Sequence, residues 1–149
     1  MSVSLKCQYA VRALLELAKR YGEPSLRSSQ IAERQAIPPR FLVNILNELK
    51  TAGLVAARRG ARGGFTLACR PQDLTVGQVI RLIDGPLDPV KCTQGSSQRD
   101  CPLKNKCSLL PLWQDAKAAV EAVYDSATFA DLAEREAALE LDAVAEYCI

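Results

Sequence analysis

The sequence predicts a mainly α-helical protein with one small β-hairpin: a winged helix-turn-helix unit followed by a long dimerisation helix. Three observations predict it. Apolar residues recur at three- and four-residue intervals over 5–20 and 39–51, the period of a helix with one buried face. The stretch LVAARRGARGGFTLA sets two short apolar runs around a turn of glycine and arginine, which reads as a hairpin. A further helical pattern, from Leu109 to Val123, is long, Ala-rich and carries the only Trp.

Taken in order, the first helix puts Leu5, Tyr9, Val11, Leu14, Leu15, Leu17 and Ala18 on a broad apolar face, and Gly22 and Pro24 end it. Ser28 or Ser29 caps a second helix, with Ile31 and Ala32 inward and Glu33 and Arg34 outward. Pro38 and Pro39 suit a turn and a first helical position, where a missing N–H costs nothing. The third helix follows with Phe41, Leu42, Ile45, Leu46 and Leu49 as its core stripe and Gly53 at its end. Two helices joined by a tight turn, the second opening with Arg40 and carrying Asn44 outward, fit a helix-turn-helix.

The hairpin directly after this pair is the expected wing. Arg58, Arg59 and Arg62 stand at its tip, where they can reach phosphates or a narrow minor groove. Glycines there, Gly63 among them, let backbone approach a duplex closely. Residues 71–84 predict a short linking helix capped by Thr75, with Val79, Leu82 and Ile83 inward. The long helix places Leu109, Leu112, Trp113, Ala116, Ala119, Val120 and Val123 along one face, suited to a partner copy. Thr128 and Asp131 form a capping-box pattern that opens a last, acidic and exposed helix. The expected organisation is therefore a DNA-binding unit over 1–84, a loop over 85–108, and dimerisation and C-terminal helices over 109–149.

Charge divides in the same way. Residues 1–70 hold 12 Lys+Arg against 4 Asp+Glu, a balance of +8; residues 71–149 hold 7 against 13, a balance of −6. The basic half is the one expected to meet a polyanion, double-stranded DNA. The chain has no histidine and shows no nucleophile–base pair, so it is not expected to be an enzyme. No apolar run reaches the ~18 residues of a membrane span, and the N-terminal stretch reads as an amphipathic helix. A cytoplasmic protein is expected, where clustered thiols signal metal binding or redox sensing more often than structural disulfides.

Those thiols lie in CTQGSSQRDCPLKNKC, residues 92–107. Its Gly, Ser and Pro content predicts a loop. Cys92, Cys101 and Cys107 on one loop can converge on a soft metal centre, since thiolates ligate iron–sulfur clusters, zinc and copper(I). Lys91, Arg99, Lys104 and Lys106 around them favour the thiolate form. Disulfide formation among the same three on oxidation is the alternative.

The opening YAVRALLELA, the string GLVAARRGARGGFTLA, the following LTVGQVI, and three loop cysteines before a long helix containing LW together resemble the IscR/NsrR/RirA family. These are bacterial winged helix-turn-helix transcriptional regulators, also called the Rrf-two family, and the resemblance spans nearly the whole chain. It implies a homodimer on a palindromic operator, with one iron–sulfur cluster per subunit, [2Fe-2S] or [4Fe-4S], on Cys92, Cys101 and Cys107. It also implies Arg59 in the minor groove, Arg40, Phe41 and Asn44 on the DNA face of the recognition helix, Ser28 among the DNA-facing residues, and Ser4, Lys6 and Tyr9 near the duplex backbone. Departures concern the fourth ligand. Leu110 stands where IscR-type members have histidine, and Gln8 where NsrR-type members have an acidic residue; Cys7 or Gln8 is a candidate, with Cys69, Cys148, a carboxylate or a small external ligand as alternatives. Val43 is apolar where IscR carries an acidic side chain. The implied function is a regulator whose operator affinity is set by the cluster, in response to redox state, nitric oxide or iron supply.

Overall fold

A computed structural model of the chain describes residues 3–60, 63–93, 101–103 and 106–146, with side chains to residue 142. Six helices and one antiparallel hairpin run in the order α1 (Leu5–Lys19), α2 (Ser28–Arg34), α3 (Pro39–Thr51), β1 (Val55–Arg58), β2 (Gly64–Leu67), α4 (Val76–Ile83), α5 (Leu109–Ser126) and α6 (Phe129–Glu146). Single 3-10 turns lie at Pro71–Asp73 and Lys91–Thr93. The predicted fold class, mainly α-helical with one β-hairpin, stands.

Local signals account for most boundaries. The Ser4 hydroxyl accepts from the Cys7 N–H at 3.1 Å and caps α1. Thr75 and Gln78 close a full capping box on α4. The Thr128 hydroxyl accepts from the Asp131 N–H at 3.1 Å at the start of α6. Arg27, not Ser28 or Ser29, is the N-cap of α2; its N–H donates to Gln30 Oε1 at 2.9 Å, and Ser28 is the first helical residue. Helix α3 ends in a Schellman pair, Leu54 N–H to Leu49 O and Gly53 N–H to Lys50 O, with Gly53 at φ 78°. Helix α2 ends on the same pattern, Ile37 N–H to Ala32 O and Ala36 N–H to Glu33 O, but with Ala36 in the left-handed position at φ 47°.

The core gathers Ala10, Ala13, Leu14 and Leu17 of α1, Ile31 of α2, Leu42, Ile45, Leu46 and Leu49 of α3, Val55 and Leu67 of the hairpin, and Leu74, Val79 and Phe129. The hairpin pairs Val55 with Leu67 and Arg58 with Gly64. Its outer edge is closed by Leu26, which exchanges two backbone hydrogen bonds with Phe65. A second, smaller cluster joins Cys7, Ile80 and Leu87.

Four expectations change. Phe41 is 58% exposed and leaves the α3 core stripe, lying tilted against Tyr9 with ring centroids 6.4 Å apart. Leu5 is exposed at the rim of α1. On α4 it is Ile80 that turns inward with Val79, while Leu82 faces out. The last helix is not an exposed appendage at its start. Phe129 is fully buried, its N–H donating to Leu74 O while Val76 N–H donates to Ala127 O. Two backbone bonds fix that return, and Lys19 pairs with Glu140 at 2.8 Å to hold α6 along α1.

Candidate nucleic-acid interface and cysteine loop

The expected DNA-facing residues of α3 are exposed. Pro39 opens the helix at its first position, so Arg40, Phe41 and Asn44 occupy its first two turns, the part of a recognition helix that meets base edges. All three face solvent. Arg58 ends β1 opposite Gly64, Arg59 begins the turn, and both are exposed. Gly63 closes the turn, donating to Gly60 O at 2.8 Å. Arg62 lies outside the described residues. Ser28 is half-buried at the start of α2.

Ion pairing sorts the cations. Among the described residues Lys6 pairs with Glu48, Lys19 with Glu136 and Glu140, Arg20 with Glu16 and Glu23, Arg34 with Glu16, Arg70 with Asp73, Arg81 with Glu121 and Asp125, and Lys117 with Asp88. Arg40, Arg58 and Arg59 pair with no acid among the described residues. Arg12, Lys50, Lys91, Lys106 and Arg135 stand outside those pairs too, so it is exposure on the helix-turn-helix and hairpin tip that makes Arg40, Arg58 and Arg59 the charges a phosphate backbone would neutralise. Two residues implied near the duplex backbone have internal partners. Lys6 Nζ lies 2.6 Å from Glu48 Oε2, and the Ser4 hydroxyl donates to Asp84 Oδ1 at 2.5 Å. Tyr9 is half-buried behind Phe41.

Beneath this face, Glu16 is nearly buried, accepting from Arg34 Nη1 and Gln35 Nε2 at 3.0 Å each. One carboxylate thereby fixes α1 against the end of α2 and the turn that aims α3. Its partners lie 18 and 19 residues away, so no local pattern announced it.

Cys92 sits on the turn Lys91–Thr93, Cys101 in a separate described stretch, and Cys107 two residues ahead of α5. All three are free thiols of intermediate exposure. Among the described residues no three Cys, Asp or Glu side chains form a group that could hold a metal ion. By chemistry alone, three thiols are donors that suit a soft metal or an iron–sulfur cluster.

The fourth-ligand candidates differ sharply. Cys7 is fully buried, and its thiol is pushed up to about 12, first by burial and then by the charge and hydrogen bond of Asp84. The thiolate is the ligating form, so this environment works against ligation. Gln8 is exposed, its amide donating to Val3 O at 3.0 Å. Burial raises the Cys69 thiol as well. Cys148 lies outside the described residues.

The loop is tied to α5 by side chains that sequence reading passed over. Asp88 Oδ1 accepts from Lys117 Nζ at 2.7 Å and lies 3.0 Å from the Thr93 hydroxyl, whose one proton is shared with Val90 O at 2.7 Å. Further along α5, Asp125 takes both Arg81 nitrogens, at 2.7 and 2.6 Å. Gly77 makes room for that fork, because a Cβ there would strike the Asp125 carboxylate. No side chain of α5 is buried, and Leu109, Leu112 and Val123 stand exposed on it. No described helix is long and apolar enough to cross a membrane.

The Rrf2 family model, described as an iron-dependent transcriptional regulator, matches residues 3–135. The chain is 35% identical over 133 residues to the HTH-type transcriptional regulator CymR of Bacillus subtilis, covering 89% of this chain and 90% of that protein. The solved structure of that CymR, described as the global cysteine regulator, superposes with a TM-score of 0.75 at 33% identity, over 91% of this chain and 98% of that one. IscR of T. potens superposes with a TM-score of 0.70 at 34% identity, over 91% and 88%. Relatives on both sides are regulators of transcription, a non-enzymatic role, and the helix-turn-helix and wing are the parts such a role requires. This chain belongs to the Rrf2 family and is a DNA-binding transcriptional regulator.

Proposed function

We propose that the chain acts as a homodimer on a palindromic operator and that the state of Cys92, Cys101 and Cys107 sets its affinity, through an iron–sulfur cluster held on those thiols. One connection carries the reading: Asp88 accepts from Lys117 at the middle of α5 and lies 3.0 Å from the Thr93 hydroxyl beside Cys92, which it shares with Val90 O. Whatever orders the loop therefore bears on the long helix. The exposed apolar face of α5, with Leu109, Leu112 and Val123, suits a second copy. A bound cluster would cross-link the loop through its thiolates. With α5 as the dimer axis, its tilt sets the separation of the two α3 helices, and half-site spacing is a geometric requirement. The family's iron-dependent description supports the same reading.

The test is anaerobic purification with iron and sulfide analysis, then operator titration with and without the cluster. Coloured protein whose operator affinity changes on cluster loss is expected, and Cys101→Ala should be colourless yet folded. Metal-free, colourless protein after reconstitution would count against the cluster. The interface is tested apart from it: Arg40→Ala and Arg59→Ala should weaken binding and each lower the salt slope by about 1.

A second reading keeps the DNA interface and makes the loop a thiol switch. It is favoured by three free, half-exposed thiols and by the likeness to CymR, a cysteine regulator by name. Two thiols then give two protons and two electrons to a peroxide, forming one disulfide and leaving the oxygen as water or alcohol. DNA binding that responds to peroxide and dithiothreitol in iron-free protein would select it.

A further inference from the structure

Helix α5 meets the rest of the chain largely through charge. It has no buried side chain, and Lys117, Glu121 and Asp125 stand four residues apart along one of its faces. That stripe lies against two groups of the body. Lys117 bonds Asp88, and Arg81 of α4 forks onto Asp125 at 2.7 and 2.6 Å. Glu121 Oε1 lies 3.8 Å from the same Arg81 Nη2 that Asp125 holds. One guanidinium thus faces two carboxylates a helical turn apart, bonded to one and about 1 Å short of bonding the other. The C-terminal end of α5 is anchored just beyond them, since Val76 N–H donates to Ala127 O and Phe129 N–H to Leu74 O, each at 3.0 Å.

We infer that Arg81 is a positioning residue that seats α5 in either of two tilts, on Asp125 or on Glu121, and so chooses the half-site spacing the protein accepts. The inference rests on the homodimer and operator proposed above. Closing the gap to Glu121 moves that point of the helix by about 1 Å. Glu121 and Leu109 lie about 9 and 27 Å along the axis from the anchored Ala127. The N-terminal end of α5 therefore swings about 3 Å, close to the ~3.4 Å rise of one base pair. The Lys117 side chain, on its flexible four-carbon stem, follows the movement at Asp88. The exchange trades one carboxylate for another of similar exposure, 44% for 31%, so the two seats lie close in energy. Gly77 decides between them. A Cβ there would strike the Asp125 carboxylate and come 3.0 Å from Arg81 Nη1, so the bare α carbon keeps the Asp125 seat open.

The experiment uses the full chain, with the cysteine loop kept throughout in its operator-binding state, and an operator selected from random duplexes. Affinity is measured for that operator and for two others whose half-sites stand one base pair closer or one further apart. Wild type is expected to favour one of the three. Gly77→Ala removes no charge and adds a helix-favouring residue, while Asp125→Asn takes away the carboxylate at an exposed position. Both should shift the affinity ratio toward the same neighbouring spacing, by about five-fold per subunit, the reach of one exposed ion pair. Glu121→Gln alone should keep the wild-type order, and added to Gly77→Ala it should cancel the shift. A merely structural role would weaken all three operators alike. Variants that keep the wild-type order overturn the inference, and so do shifts in opposite directions or a shift that survives Glu121→Gln. Wild type that binds all three spacings equally, or as a single subunit, overturns the homodimer reading itself, an outcome distinct from an unshifted preference.

Discussion

Lys117 and Asp88 meet at 2.7 Å across 29 residues, with the Asp88 side chain 4% exposed and the lysine 27%. A carboxylate so enclosed depends on its cation, and the hydrogen bond in turn raises the Lys117 ammonium above its ordinary range. Lys117→Met should cost about 1.5–3 kcal/mol in urea unfolding, the worth of a hydrogen bond to a charged group. Asp88→Asn combined with Lys117→Met should cost less than the two single changes added together. Additive losses would mean that the pair does not couple the loop to α5.

Phe129 is the largest fully buried side chain. Phe129→Ala should cost about 3–5 kcal/mol, although the change lies well beyond the helix-turn-helix. A loss under 1 kcal/mol by chemical denaturation would show that the core closes without α6.

Ala36 holds a left-handed conformation at φ 47° in the turn between α2 and α3, a conformation that carries a penalty for any residue with a Cβ. Ala36→Gly should stabilise the protein by about 0.5–1 kcal/mol, read as a raised melting midpoint with unchanged DNA affinity. A fall in midpoint would show that the turn is not strained.

Cys7 keeps its proton in the folded state up to about pH 12, whereas the unfolded thiol releases it near 9.0. Folded protein therefore binds more protons in that window, and stability that is full below it declines as pH rises through it. At mildly alkaline pH, iodoacetamide should label Cys92, Cys101 and Cys107 in metal-free folded protein and reach Cys7 only after unfolding. Labelling of Cys7 at the rate of the loop thiols would refute its burial.

How much of this was legible beforehand follows from the range of each interaction. Helices α1 to α3 and the hairpin were readable because their signals are local: apolar period, Pro39 at a first turn, Gly53 at a last one. Asp131 three residues after Thr128 announced α6, but its acidic run concealed that Phe129 plugs the core, since that depends on Leu74 more than fifty positions earlier. Phe41 read as core by spacing; it points outward because Tyr9 gives its ring a partner at the surface. Ile80, not Leu82, turns in because α4 must bury its face against Cys7 and Leu87 as well as the main core. Nothing in the sequence singled out Asp88, Lys117, Arg81 or Asp125. Their pairing spans 29 and 44 residues, beyond what any sequence window displays.

Helix α5 carries no buried side chain, and Tyr124 is the one residue it lends to an apolar cluster. A close-packed seam resists displacement because its interlocked shapes must separate before they can slide. The ion pairs of Asp88 and Arg81 and a single aromatic foot set a gentler resistance, so little apolar surface has to part for the rod to tilt on the body. That compliance is what a mechanical lever needs: a stiff shaft, a loose mounting, and a load at each end.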